Sequence, residues 1–248
     1  MVRKKIKKHM TVDESDVTVI SEKNKYIKRG FSVLHSARKR LKGYIAQHPE
    51  FEKSYDPLSV MSEEPVIRRM SQASELTGVG PMAGVAGVLA DLMSEAMLEA
   101  GASIAVVENG GEIMITSSDD IYIGLFSLTT ILKGTVGFLF KGGSPPVGLG
   151  TSSGTFGHAT SLGEADTVTV FAANAGIADA AATRIANAVK GEDIEDSIEK
   201  GLAVAEELDI VRGVFIGRSE LIGTYGDLPE LISIDGELKN KYTETDFL

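Results

Sequence analysis

Alternating apolar and polar positions over residues 3–22 predict a β-hairpin at the start of the chain. Lys5–His9 alternates, Val17–Ile20 is β-branched, and the acidic segment Asp13–Asp16 between them supplies the turn. The lysine-rich first strand is typical of a solvated sheet edge, where lysine discourages pairing with another chain. A basic binding patch is the alternative interpretation.

Two stretches with apolar residues at helical spacing follow. Residues 31–48 predict one helix, which stops before Pro49, and a second helix is predicted from Glu64 and Pro65 to Leu76, with the proline in its first turn. The first helix also carries a run of basic residues, at Arg38, Lys39, Arg40 and Lys42. We interpret this basic face as solvated, and phosphate binding is the alternative.

Small residues dominate residues 77–100. A glycine- and proline-containing loop at 78–81 precedes a helix that ends near Gly101. The start of that helix has a narrow face of small residues, namely Ala83, Gly84, Ala86, Gly87 and Ala90. Small side chains allow another backbone or a flat ligand to approach closely. Tight packing against a sheet and ligand contact are both compatible with this pattern.

Residues 102–126 predict three short strands. Ser103–Val107 and Ile113–Thr116 flank a turn, and Ile121–Phe126 follows after a second turn at Asp119 and Asp120. The first turn consists of Asn109, Gly110 and Gly111. Asn-Gly is a strong hairpin signal, so this turn requires no ligand to explain it.

The region 133–163 is rich in glycine, serine and threonine and predicts a loop. Its GLGTSSG stretch, residues 148–154, is only superficially like a dinucleotide fingerprint, because its glycines are one residue too widely spaced and no helix follows directly. Successive N–H groups in such a loop can still form an anion-binding nest. The candidate phosphate contacts are therefore Thr151, Ser152, Ser153 and Gly154, with His158 as a further contact or a base.

The clearest functional signal lies on an alanine-rich helix predicted over residues 176–190, after the strand Thr167–Ala172. Asp179, Thr183 and Asn187 are spaced four apart, which places their side chains on one face of that helix. A carboxylate and a hydroxyl are oxygen ligands that suit Mg²⁺ or Ca²⁺.

A backbone carbonyl near Ala83 would supply a third ligand for such a cation, with water or phosphate completing the set. Two alternatives need no metal. An aspartate near a helix start interacts favourably with the helix dipole, and a threonine can hydrogen-bond back to its own helix.

The rest of the chain adds one acidic amphipathic helix over residues 191–207 and two strands, Val211–Ile216 and Glu220–Thr224. Residues 226–248 are polar and predict a loosely ordered tail. We expect one domain over 1–248, with the hairpin at 1–22 and this tail at its ends.

Composition excludes several classes of function. The chain has 248 residues, 43% of them hydrophobic, no cysteine, and a net charge of -10. The charge disfavours nucleic acid and anionic membranes, and the lack of cysteine removes disulfides, thiolate metal sites and a cysteine nucleophile. The basic start has no apolar core of a signal peptide, so we expect a cytoplasmic protein without membrane contact. The apolar strands are compatible with a homodimer interface.

Taken in order, three segments resemble the ApbE-like family, whose better-known members are FAD:protein FMN transferases. Gly80–Asp91 is similar to the glycine-rich start of a helix in the transferases, and Val107–Ile113 is similar to their Asn-x-Gly-Gly-Asp turn. Thr151–Thr183 is similar to their Thr-Ser-Gly followed by Ala-Asp-Ala-x-x-Thr. The resemblance implies an α+β fold of mainly antiparallel strands with packed helices.

The resemblance also implies a site. It assigns Mg²⁺ to Asp179, Thr183 and the main-chain oxygen of Ala83, beside the pyrophosphate of FAD. FMN is the alternative flavin. Ala83, Gly84, Asn109, Gly110, Gly111, the 151–154 segment and His158 would line the cleft.

Three departures separate this sequence from the transferases. Ala83 and Gly84 stand where transferases carry Lys-Gly, Glu112 stands for the aspartate after Gly-Gly, and the His-x-x-Asp-Pro segment is absent. The sequence is closer to a shorter cytoplasmic branch, some of whose members are associated with sulfide assimilation and homocysteine formation. The hypotheses are thus a flavin or nucleotidyl-type transferase, a non-flavin accessory protein or enzyme of sulfur metabolism, and a scaffold whose cleft has closed.

Overall fold

A computed structural model describes residues 4–124, 136–152 and 163–233. Within these residues the chain forms eleven strands: β1 (Ile6–Val12), β2 (Ser15–Ser21), β3 (Ile104–Asn109), β4 (Glu112–Ser117), β5 (Ile121–Gly124), β6 (Val136–Phe140), β7 (Val147–Ser152), β8 (Thr167–Ala172), β9 (Val211–Arg218), β10 (Leu221–Gly226) and β11 (Glu230–Ser233). They form an eight-stranded sheet in the order β1-β2-β3-β4-β7-β8-β9-β10 and a three-stranded sheet in the order β11-β6-β5. Every strand pair is antiparallel.

Six α-helices accompany the described strands: α1 (Asn24–Gln47), α2 (Glu50–Lys53), α3 (Pro65–Thr77), α4 (Val85–Glu99), α5 (Ala175–Ala186) and α6 (Ile194–Glu206). A 3₁₀ turn, Pro81–Gly84, leads directly into α4. The prediction of an α+β fold with mainly antiparallel strands and packed helices is confirmed.

The large sheet separates two cores. Helices α1 and α4 cover one face over β2–β4, with α3 packed against other helices, and α5 and α6 cover the same face over β8 and β9. The opposite face is lined by isoleucine and phenylalanine and is covered by the three-stranded sheet, where Phe138 meets Phe171 edge-on with ring centroids 4.9 Å apart. The helices therefore lie on only one side of the large sheet.

The β3–β4 hairpin has a tighter turn than the sequence suggests. Asn109 pairs with Glu112 in the strand register, so the turn consists of Gly110 and Gly111 alone. Both have positive φ, 70° and 116°, which glycine adopts without a steric penalty. Asn109 and Glu112 consequently lie side by side on one face of the hairpin.

The prediction of a continuous loop over 133–163 is wrong for the part of it that is described, because β6 and β7 lie there. In β7 the glycines alternate with larger residues, and only the side facing α5 carries them. A Cβ on Gly148 would lie 2.0 Å from the carbonyl carbon of Asn174, and one on Gly150 would lie 2.3 Å from the amide nitrogen of Asp179. The glycines that suggested a loop therefore form one face of strand β7, and the backbone of α5 packs against this face.

Three element boundaries also differ from the predictions. Helix α1 begins at Asn24, seven residues earlier than predicted, and α5 ends at Ala186, so Asn187 lies just beyond it as the C-terminal cap. The predicted tail from residue 226 contains β11, which pairs with β6 from Glu230 to Ser233. Residues 234–248 lie outside the described residues.

One helical segment of the described chain, Pro81–Glu99, has the length and mean hydropathy (1.2) of a membrane span. In this fold 61% of that apolar window is buried inside the protein. Its apolar character is therefore accounted for by its position between α1, α5 and the large sheet.

Candidate functional site

Helices α4 and α5 cross in direct backbone contact. A Cβ on Gly87 would lie 2.2 Å from the carbonyl oxygen of Ala175, and one on Gly176 would lie 2.5 Å from a methyl carbon of Val88. Real Cβ atoms do not approach other atoms this closely, so glycine is required at both positions. The small-residue face predicted for α4 is therefore used for packing against α5.

Two aspartates tie the crossing together in a reciprocal way. Asp91 on α4 accepts hydrogen bonds from the first two N–H groups of α5, those of Ala175 at 2.8 Å and Gly176 at 2.9 Å. Asp179 on α5 accepts a hydrogen bond at 3.0 Å from the N–H of Gly87, in the first turn of α4. Each helix thus supplies the carboxylate that caps the N-terminus of the other.

This arrangement changes the bonding of the Ala83 carbonyl. In a continuous helix the N–H group four residues later, that of Gly87, would be directed at it. The Gly87 N–H donates to Asp179 instead. Ala83 and Ile177 both pack against the small cluster of Ala73, Val79 and Ala180, so the turn that carries Ala83 lies next to α5.

Thr183 lies one turn beyond Asp179 on the same face of α5 and is partly exposed. Its hydroxyl makes no hydrogen bond to another of the described residues. Thr77 on α3, by contrast, donates to the Ala73 carbonyl at 2.7 Å, the backbone bond that a helical threonine usually finds. The hydroxyl of Thr183 is therefore available to a ligand.

The tip of the β3–β4 hairpin completes the site. The side-chain amide of Asn109 donates to the Ala86 carbonyl at 3.0 Å, so the hairpin is fixed to the start of α4. Glu112, its partner across the hairpin, is 8% exposed. Gly150 of β7 lies against Asp179, where a Cβ would be 2.3 Å from the Asp179 amide nitrogen. The site thus brings together the hairpin tip, the starts of α4 and α5, and the end of β7.

Both carboxylates at this position have raised pKa values. Burial raises the pKa of Asp179 to about 8 although part of the residue reaches the surface, and the charge of Asp91 adds to the effect. Burial raises the pKa of Glu112 well above its usual value, and the nearby carboxylate of Asp179 raises it further. Among the described residues, the strongest charged neighbours of these two carboxylates are other carboxylates rather than basic side chains.

The available donors are all oxygens: the carboxylates of Asp179 and Glu112, the Thr183 hydroxyl and the Ala83 carbonyl. This donor set fits a hard cation such as Mg²⁺, which binds through one or two carboxylates and completes its shell with water or phosphate. No group of three or more histidine, aspartate or glutamate side chains that could hold a metal occurs in the described ranges 4–124, 136–152 and 163–233. A cation here would therefore depend on neutral protein oxygens and on the water or phosphate that completes its shell.

The other predicted contacts fall into three groups. Gly84 lies against α5, where a Cβ would be 3.0 Å from the Gly176 carbonyl oxygen. Thr151 and Ser152 belong to β7 rather than to a loop, and the Thr151 hydroxyl lies 3.2 Å from that of Thr169, on the sheet face away from the helices. Ser153, Gly154 and His158 lie outside the described residues.

The basic face of α1 is largely neutralised by acidic neighbours. Arg38 pairs with Asp13 and Glu14 in the β1–β2 turn, and Lys42 pairs with Asp13 at 2.7 Å. Arg40 pairs with Glu64. These contacts favour the interpretation of this face as a structural surface over the alternative of phosphate binding.

An open depression of about 460 Å³ lies beside α2, lined by Pro49, Glu50, Lys53, Ser54 and Leu58.

Sequence reasoning did not select Glu112 or Asp91 as site residues. Both are acidic residues within otherwise apolar elements, and both are more than nine-tenths buried. A charged residue at a core-facing position was the signal that could have identified them, since charges are rarely buried without a partner.

The fold and the segments that meet at this site define an ApbE-like protein. A family model described as AbpE bacteria matches residues 1–210. A UPF0280 protein of Methanocaldococcus jannaschii is 37% identical over 244 residues, which cover 95% of this chain and 99% of the relative. A UPF0280 protein of Methanothermobacter thermautotrophicus is 40% identical over 228 residues, covering 91% and 88%. The chain therefore belongs to this ApbE-like family, together with the UPF0280 proteins.

Solved structures agree with this assignment. The flavinyl transferase ApbE of Pseudomonas stutzeri, in its apo form, superposes with a TM-score of 0.56 at 16% identity, covering 90% of this chain and 94% of that one. The ApbE protein of Thermotoga maritima gives a TM-score of 0.55 at 12% identity, covering 88% and 97%. At this identity the likeness shows the ApbE fold.

Proposed function

We propose that this protein binds a flavin, with FAD as the first candidate, or another phosphate-bearing small molecule, together with Mg²⁺, at the crossing of α4 and α5. The observation that supports the proposal is a group of neighbouring oxygen atoms that could bind a cation and are not all occupied by hydrogen-bond donors of the described residues. The Gly87 N–H, which a continuous helix would direct at the Ala83 carbonyl, donates to Asp179, and the Thr183 hydroxyl makes no hydrogen bond to a described residue, so both oxygens would be available to a cation.

A pyrophosphate would require this cation. Asp179 and Glu112 both lie at the site, and a phosphate would meet their negative charge there. The two helix N-termini, which often bind phosphate, are already capped by Asp91 and Asp179. When bound, Mg²⁺ would neutralise pyrophosphate charge and polarise the phosphoryl group. We therefore expect ligand binding to depend strongly on the metal.

The remaining roles follow from position. Asp179, Thr183 and the Ala83 carbonyl would hold the cation, while Gly84, predicted as a ligand contact, instead allows α5 to pack closely on the start of α4. The hairpin turn of Gly110 and Gly111 would line the pocket, with Asn109 fixing it to α4. If a flavin is transferred, the pyrophosphate bond of FAD breaks, FMN joins an oxygen of the acceptor, and AMP leaves.

Titration of the purified protein with FAD, followed by flavin fluorescence in Mg²⁺ and in chelator, tests the proposal. Thr183→Ala should weaken Mg²⁺-dependent binding, and Thr183→Ser, which keeps the hydroxyl, should restore much of it. A control is Thr77→Ser, where the hydroxyl serves only the backbone of α3. FAD binding that is equally tight in chelator, or unchanged in Thr183→Ala, would remove the metal from the proposal.

The second candidate is a protein that binds at this site without catalysis, as an accessory factor in sulfur or cofactor metabolism or as a scaffold with a closed cleft. It is favoured by the hydrogen bonds of Asp179 and Asn109, which are complete without any ligand. Incubation with FAD, Mg²⁺ and candidate acceptors distinguishes the two, because only the transferase releases AMP. Binding without AMP release would leave the accessory role, and no binding would leave the scaffold.

We extend the proposal to the setting of the protein. A cytoplasmic location fits a ligand of this class and a net charge of -10, which also disfavours nucleic acid and anionic membranes. The apolar strands are compatible with a homodimer, and light scattering coupled to gel filtration would give the mass in solution. Cell fractionation would test the location.

A further inference from the structure

We infer that Asp91 is a positioning residue for the ligand site: it sets the placement of Asp179 by holding the first turn of α5 against α4. The geometry of the helix crossing supports the positioning of Asp179 by Asp91. The expected effect on metal binding rests, in addition, on the proposed function. The positioning and the effect on metal binding can be tested separately.

Asp91 does not reach the proposed cation. It is 3% exposed and lies on α4, where each of its oxygens accepts one N–H group at the start of α5, that of Ala175 or that of Gly176. Two bonds to one planar carboxylate fix both the distance and the rotation of that first turn, which a single bond would not do. Asp179 lies on the next turn of α5, about 6 Å further along the helix axis.

The close contact of α4 and α5 restricts the movement of one helix relative to the other. Gly87 and Gly176 lie in backbone contact with the opposite helix, as their missing Cβ atoms show. The return bond from the Gly87 N–H to Asp179 closes a loop: Asp91 holds α5, and α5 holds the start of α4 through Asp179. Because a helical turn is rigid, a displacement at Ala175 is transmitted to Asp179, and from there to Gly87 and the Ala83 carbonyl.

A carboxylate is needed for this role. Asparagine has nearly the same shape, but its amide nitrogen would face an N–H group, so one of the two bonds would be lost. The charged neighbours of Asp91 are Arg69 on α3 and Glu95 on α4, which form a two-pronged pair with each other at 2.6 and 2.8 Å, and Asp179, on which the charge of Asp91 also acts. The Arg69–Glu95 pair remains in an asparagine variant, and a readout at the Gly87 amide separates a displacement of Asp179 from the lost charge.

The experiment measures Mn²⁺ affinity by electron paramagnetic resonance, with Mn²⁺ as a probe for the Mg²⁺ site. Asp91→Asn should bind Mn²⁺ about 10-fold or more weakly, the size of effect seen when residues that orient metal ligands are changed. The matched control is Glu22→Gln, since Glu22 also accepts two backbone N–H groups, from Ser103 and Ile104, but at the start of β3. That control should bind Mn²⁺ as the unaltered protein does.

A second readout requires no metal. Hydrogen exchange of individual amides, followed by NMR, should show faster exchange at Gly87 in Asp91→Asn, although the Gly87 N–H donates to Asp179 and not to the Asp91 side chain. If Asp91 is only a local cap, exchange rises at Ala175 and Gly176 while Gly87 stays protected and Mn²⁺ affinity is unchanged. That result would overturn the inference.

The two readouts also separate this inference from the proposed function. If the unaltered protein binds no Mn²⁺, the metal proposal fails, and exchange at Gly87 alone decides whether Asp91 positions Asp179. If Asp91→Asn does not fold, Asp91→Ser, which keeps one acceptor without added bulk, is measured in the same way. Mn²⁺ loss of equal size in Glu22→Gln would show a general effect of instability and would also contradict the inference.

Discussion

Gly87→Ala is the substitution that most directly tests the α4–α5 crossing. The added Cβ would lie 2.2 Å from the carbonyl oxygen of Ala175, 2.4 Å from its carbonyl carbon and 2.8 Å from the amide nitrogen of Gly176. All three atoms belong to the backbone of α5, so no side chain can rotate away. The helices must separate by about 1 Å to reach an ordinary contact distance.

The expected loss of stability is the sum of opposing effects. Forcing an extra methyl group into a packed contact costs about 1–3 kcal/mol. Separating the helices also lengthens the hydrogen bonds that the carboxylates of Asp91 and Asp179 accept from the opposite helix. Weakening a hydrogen bond to a charged group costs about 1.5–3 kcal/mol. Alanine restores about 1 kcal/mol of helix propensity. The net loss is about 3 kcal/mol, which for a chain of this size lowers Tm by roughly 6–12 °C.

The matched control is Gly43→Ala. Gly43 is also inside a helix, α1, but its Cβ would have nothing within 4 Å. It should therefore gain up to about 1 kcal/mol from helix propensity alone. Urea unfolding followed by circular dichroism compares both variants with the unaltered protein. Equal stability of Gly87→Ala and Gly43→Ala would refute the close crossing.

Three other predictions concern the cores, the hairpin and the pH dependence. Phe138→Ala should cost about 3–5 kcal/mol in urea unfolding, because Phe138 is fully buried between the two sheets; a loss below 1 kcal/mol would contradict the covering sheet. Gly111→Ala should cost about 1–2 kcal/mol in the same assay, because the site is open but φ is 116°; Gly43→Ala again gives the strain-free comparison. The pKa of Asp91 is raised by burial to about 6, so the folded protein holds this proton more tightly than the unfolded chain. The contribution of the Asp91 carboxyl group to the free energy of unfolding should therefore fall by about 3 kcal/mol as the pH rises from about 4 to 6. The difference between the unaltered protein and Asp91→Asn, measured across that range, should show this fall, and a flat difference would contradict it.

The sequence was most informative where local rules decide the structure. The hairpin at Gly110 and Gly111 follows from turn geometry, and β8 matched its predicted bounds because it is a short apolar run with polar neighbours. The four-residue spacing of Asp179 and Thr183 places them on one face of any helix. None of these conclusions requires knowledge of distant contacts.

Distant contacts explain what the sequence did not reveal. Gly148 and Gly150 suggest a loop until the backbone of α5 is seen resting on them. The face to which Thr151 points depends on the register of β7 with β8, which the sequence alone does not fix. The partnership of Asp91 with α5 spans 84 residues along the chain, and no local pattern encodes it.

The central claim is that Asp179 holds a cation through which a flavin binds. Calorimetric titration of Asp179→Asn with FAD in excess Mg²⁺, beside the unaltered protein and the Glu22→Gln control, tests it most directly. The account predicts that the unaltered protein and Glu22→Gln bind FAD only when Mg²⁺ is present, and that Asp179→Asn, while folded, loses that binding. FAD affinity in Asp179→Asn equal to that of the unaltered protein would contradict it.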